Sequence, residues 1–144
     1  MPIVGFNFSN ISAKKNKAIE GQVQIKSNVN ITDVKEEKLP TGKTQADGLR
    51  IDFKLNIDYE PKIGNLLLEG FIYYLDDPKL IKELVKEYKK NKMLPKDVTA
   101  QIINSVLTRA SVKALTMAQE VNLPPHIPLP AIKQDKVNPK NYIG

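Results

Sequence analysis

The sequence predicts an α+β fold: a four-stranded antiparallel sheet followed by a short helix and then a long one. Three observations carry this expectation. Apolar residues recur at period two through the first half of the chain, then switch to helical spacing after "DDP" at 76–78. Between two of the apolar runs stands a short turn, "EPKIGN", which marks a hairpin. Strands gathered ahead of helices point to helices laid on one face of an antiparallel sheet.

The first strand is expected in "VGFNF", with Val4, Phe6 and Phe8 on one face. Ile11 falls out of that register, which marks a bulge or the strand's end. "KKNK" at 14–17 reads as a solvated turn. In "GQVQIKSNVNITDV", Val23, Ile25, Val29 and Ile31 share a face opposite Gln, Lys and Asn. The polar stretch 35–48, with Pro40, Gly42 and Gly48, is expected to be a loop. The third strand is the clearest: Leu49, Ile51, Phe53, Leu55, Ile57 and Tyr59 alternate with polar residues, so one face is core and the other wet. The fourth, "NLLLEGFIYYL", is apolar on both faces. Leu66, Leu68, Ile72 and Tyr74 make one side; Leu67, Phe71, Tyr73 and Leu75 make the other. A strand of this kind needs cover on both sides, from a second layer, another subunit or a bound partner.

The short helix carries Leu80, Ile81, Leu84, Val85 and Tyr88 at helical spacing, with Asp77 as N-cap and Pro78 at the first helical position. Its other face is lysine and glutamate, with Glu83 and Glu87 spaced to pair with Lys86 and Lys90. The long helix starts at Lys96 or Asp97 and runs about 25 residues, roughly 37 Å. Its expected apolar stripe is Val98, Ile102, Ile103, Val106, Leu107, Ala110, Ala114, Leu115 and Ala118. Such a helix outruns a small sheet, so part of it is expected to pack on a second copy. Then comes "NLPPHIPLPAI", 122–132, where four prolines forbid helix and bias the chain to an extended, pre-ordered strap. Leu123, Ile127, Leu129 and Ile132 can lie along an apolar surface, and His126 is expected to hydrogen-bond or face water. One domain over 1–132 and a basic tail over 133–144 complete the organisation.

Composition narrows the functional classes. The chain has 144 residues, no cysteine, a single histidine and a net charge of +6. Disulfides, thiol nucleophiles and cysteine-ligated zinc are excluded. "GKT" at 42–44 lacks the earlier glycine of a phosphate-cradling loop, since Glu37 stands there and a strand follows. No nucleophile-elbow glycines flank a serine. No catalytic residue, metal site or cofactor is therefore expected, and the chain reads as a non-enzyme. The positive charge is nearly all lysine, Arg50 and Arg109 being the only arginines; lysine lacks the planar fork that reads phosphates bidentately. No apolar run reaches the ~20 residues that span a bilayer. The first residues lack the charged head and apolar run of a signal peptide, so the expected compartment is the cytoplasm.

The layout over residues 3–132 resembles the SecB family of export chaperones. "LLLEGFIYYL" stands where that family has its fourth strand, and "VNLPPHIPLPAI" follows the long helix in the matching place, after "ASVKALTMAQE". The chain departs from the family in being basic and in carrying only "KMLPKD" ahead of the long helix. The resemblance implies a homotetramer, a dimer of dimers with the long helices between sheets. It also implies a holdase whose apolar groove takes unfolded or export-bound polypeptides. The substrate-binding residues expected on this reading are Leu67, Phe71 and Tyr73 on the fourth strand with Ile127 and Leu129 on the strap. The alternative is a basic accessory or structural protein of a ribonucleoprotein such as the ribosome, with RNA as partner through the lysine face and tail.

Overall fold

A computed structural model describes residues 3–130. The proposed domain end at 132, Ile132 and the basic tail at 133–144 lie outside the described residues. Four strands, β1 (Ile3–Lys15), β2 (Gln24–Thr41), β3 (Thr44–Glu60) and β4 (Gly64–Leu75), precede α1 (Pro78–Asn91) and α2 (Lys96–Glu120). The fold is α+β, with a four-stranded antiparallel sheet and two helices.

Spatial order in the sheet is β1-β4-β3-β2, and every neighbouring pair is antiparallel. Tight turns join β2 to β3 and β3 to β4, while β1 lies beside β4. This is a Greek key, three hairpin-linked strands with the first strand returning to the last. The connection from β1 to β2 therefore crosses the end of the sheet. It is tied there by the Asn16 amide, which donates to the Ile63 carbonyl at 2.7 Å.

One expectation fails in the sheet. Residues 35–48 are not a loop; they continue β2 and β3 as a ladder closed by Gly42 and Lys43, with Thr41 opposite Thr44. Gly42 has φ +68°, the positive value needed at the first central position of a two-residue hairpin. The ladder runs past the end of β4, because Leu75 pairs with Gly48 and nothing continues β4 beyond it. A ribbon exposed on both faces carries polar side chains on both, so its sequence mimics a loop although its backbone is paired. Leu39 is the exception. It is buried yet stands apart from the core cluster, lying over Gly48, where a Cβ would come within 2.6 Å of its Cδ1.

The core lies between one face of the sheet and the helices. Leu49, Ile51, Phe53, Leu55, Ile57 and Tyr59 of β3 are buried there with Leu66, Leu68, Ile72 and Tyr74 of β4. Each such side chain contributes about 1.5–3 kcal/mol relative to exposure. The expected β1 face is corrected by a register shift between Ile3 and Gly5. Ile3, not Val4, stands opposite Tyr74, and Val4 is left 53% exposed. A second shift between Phe8 and Asn10 explains the odd register of Ile11, and the strand continues to Lys15.

Helix α1 forms as its sequence dictates. The Asp77 carboxylate accepts from the Lys79 amide at 2.9 Å, Pro78 opens the helix, and Lys92 closes it in the left-handed region. Ile81, Leu84 and Val85 are its buried face. The lysine–glutamate pairs expected on its outer face do not form within 4.0 Å among the described residues; Glu83, Lys86, Glu87 and Lys90 are all exposed to solvent.

Helix α2 buries a narrower stripe than its composition suggests: Val98, Ile102, Val106, Ala110, Ala114 and Ala118, each four residues on, with Met117. Three alanines in its second half carry nothing beyond Cβ to hold the helix off the sheet. Ile103 and Leu115 are only half-buried and Leu107 is exposed, because they occupy the neighbouring row. The helix ends in a Schellman motif: the Leu123 amide donates to Ala118 and the Asn122 amide to Gln119, with Asn122 at φ +57°.

Candidate functional site

The strap after α2 is fastened at its root. Leu123 is buried in the core, close against Gly64, where a Cβ would lie 3.1 Å from its Cδ1. The Tyr59 hydroxyl donates to the Pro124 carbonyl at 2.6 Å, and Lys15 Nζ donates to the Asn122 carbonyl at 3.2 Å. Burial raises the Tyr59 pKa above its ordinary value, so the phenol keeps the proton it donates. Beyond Pro124 no further hydrogen bond fastens the strap among the described residues. Ile127 and Leu129 are exposed, at 39% and 55%.

Leu129 lies at the edge of a depression of about 330 Å³, shared with Leu115, Leu123 and Pro125. A second depression of about 290 Å³ opens where β2 meets the junction of the two helices. Val29, Ile31, Met93, Leu94 and Ile103 line it. On the opposite flank, Phe8 and Ile11 of β1 sit at the sheet's edge, 37% and 43% exposed. Phe6 there carries the Arg109 guanidinium 5.3 Å from its ring centre. Apolar surface is thus left uncovered on both sides of α2.

Leu67, Phe71 and Tyr73 take a different position. They alternate with Leu66, Leu68, Ile72 and Tyr74, which face the helices, so they point to the helix-free side of the sheet. Each is half-buried. Phe71 and Tyr73 meet edge to face at 5.4 Å, and Arg50 lies 4.0 Å above the Phe71 ring while holding Asp52 at 3.1 Å. That hydrogen bond to Asp52 is the main cause of the raised Arg50 pKa. Further along the same face the neighbours are polar: Asn65 donates to Asn56 at 2.6 Å and to Asp58 at 2.7 Å.

The structure therefore splits four of the five expected residues into two patches. Leu67, Phe71 and Tyr73 form an island on the open sheet face, and Leu129 lies against α2 on the other. Ile127 is exposed on the strap and lines neither. The exposed residues of β1 and the lining of the second depression were not expected from the sequence. Alternation put Phe8, Val29 and Ile31 on the shared apolar faces of their strands, and only the sheet order reveals that β1 and β2 are edges.

His126 corrects another expectation. It neither hydrogen-bonds nor faces water: both ring nitrogens are buried without a partner among the described residues. Burial without a partner penalises the imidazolium and lowers its pKa. Among the described residues, no three of His, Asp and Glu converge as a metal site would require. No helix there is long and apolar enough to cross a membrane.

No protein-family model matches the chain, and no curated protein does. Among solved structures the chain is similar to a SecB-like chaperone of Mycobacterium tuberculosis in complex with a ChAD peptide from the HigA1 antitoxin. The two are 14% identical, with 90% of this chain and 89% of that one covered and a TM-score of 0.47. The likeness is distant.

Proposed function

We propose that this chain is a holdase, binding unfolded or export-bound polypeptides through apolar surface in the cytoplasm, without a cofactor and without chemistry on the client. The observation that carries the reading is the depression beneath the strap, where Leu129 stays 55% exposed beside Leu115, Leu123 and Pro125. Exposed apolar groups gathered around a hollow, rather than scattered singly, mark a surface that takes an apolar partner. Its volume of about 330 Å³ suits a few large side chains of an extended segment. The island of Leu67, Phe71 and Tyr73 offers a second contact to the same client on the far face. The assembly is a homotetramer, and Leu107 and Val112, exposed on α2, belong to its contacts.

The test is suppression of aggregation of a reduced, unfolded client, followed by light scattering. Two double variants are compared with the parent: Ile127→Ser with Leu129→Ser, and Phe71→Ser with Tyr73→Ser. Both are expected to keep the fold and lose much of the suppression. Full suppression by both folded variants, or none by the parent, would overturn the reading.

A further inference from the structure

The outer face of α1 is rich in cations that form no ion pair among the described residues. Lys79, Lys82, Lys86, Lys89 and Lys90 are all exposed, as is Lys92 just past the helix end. The ion pairs among the described residues join Lys26 to Glu60, Lys35 to Asp33 and Arg50 to Asp52; none involves α1. The helix beneath is held rigidly by Ile81, Leu84 and Val85 in the core and by its Asp77 cap. The row is thus a fixed rail on the order of 16 Å long, from Lys79 to Lys90.

We propose that this rail docks an extended acidic segment of a partner polypeptide. Two features of the rail select that occupant. Lys82, Lys86 and Lys90 recur every fourth residue, a pitch of about 6 Å along the axis. In an extended chain, alternate side chains project to one side about 6.6 Å apart, so carboxylates at every second residue meet successive lysines. Next, α1 carries no arginine fork for phosphate, and its single aromatic ring, Tyr88, is half-buried with Lys92 Nζ 5.6 Å from its centre. Glu83 and Glu87 stand along one flank of the lysines, so the acidic segment lies over the other flank, by Lys82 and Lys89.

The experiment is fluorescence anisotropy on the whole chain with two labelled probes: a dozen-residue peptide alternating Glu and Ser, and an oligouridylate of equal length. The peptide is expected to bind the parent, to weaken about ten-fold or more with added salt, and to lose affinity comparably in the Lys82→Glu, Lys86→Glu, Lys90→Glu variant. Circular dichroism checks that this variant is folded; if it is not, the same three positions changed to Gln replace it. The peptide binding parent and folded variant equally, binding neither, or binding no tighter than the oligouridylate overturns the proposal. The holdase reading is scored separately, because the triple variant keeps the apolar surface and is expected to suppress client aggregation as the parent does.

Discussion

The Tyr59 hydroxyl donates to the Pro124 carbonyl at 2.6 Å, joining the end of β3 to the first proline pair of the strap. The residues are 65 positions apart, and this bond with the burial of Leu123 decides where the strap starts its course over α2.

Replacing Tyr59 by Phe keeps the buried ring and removes only the donor. The Pro124 carbonyl is left without its partner, at an expected cost of about 1 kcal/mol. Chemical denaturation should show a lower midpoint with an unchanged slope. Hydrogen exchange should rise at Leu123, whose amide follows the helix end, while the β3 amides stay protected.

The strap also carries a pH dependence through His126. Its pKa is lowered in the folded chain, so from about pH 6.5 downward the unfolded state binds a proton that the folded state resists. Stability is therefore expected to fall as pH drops below that value. His126→Leu should flatten this part of the profile. Melting temperature measured between pH 7.5 and 5.5 checks it, and parallel curves for parent and variant would refute the assignment.

Gly70 lies on the core face of β4, opposite Phe8 on one side and Phe53 on the other. A Cβ there would meet Phe53 Cζ at 2.8 Å and also the Asn7 carbonyl. Since backbone and a packed ring cannot both retreat, Gly70→Ala is expected to destabilise by about 2–3 kcal/mol. Thermal unfolding gives the size of the effect. Gly42→Ala, strained only by its φ of +68° at an exposed turn, should cost less.

Leu39 anchors the ribbon that extends β2 and β3 past the end of β4. Leu39→Ala is expected to cost about 2 kcal/mol, the low end for a buried leucine, because its site is a surface hollow and not the main core. The distinguishing readout is local: amides of residues 38–47 should lose protection first, while those of 49–59 keep it.

Much of this architecture is legible in the residues. Alternation from Leu49 to Tyr59 fixes a strand and its buried face, and Asp77-Pro78 fixes where α1 begins. Where two interactions compete or neither leaves a side-chain signature, the sequence reading falters. The ribbon at 35–48 is ordered by backbone pairing and buries a single leucine, so its side chains carry no period. Burial on α2 is set by which row of the helix lies on the sheet. Ile103, Leu107 and Leu115 are as apolar as their neighbours, and only the packing angle leaves them out. The candidate surface was half legible for a similar reason. Phe71 and Tyr73 stand out because β4 is apolar on both sides. Phe8 looks like core, since nothing in a strand's own sequence says that no strand lies beyond it.

The Greek key has a consequence for synthesis. Asn10 of β1 contacts Glu69 of β4, 59 positions later. At roughly 5–20 residues per second, the first strand leaves the ribosome some 3–12 s before its partner exists. Through that interval Phe6 and Phe8 have no helix to pack against, and for most of it Phe53 is not yet made. The chain's own N-terminal strand is, for those seconds, an unfolded apolar segment in need of shelter.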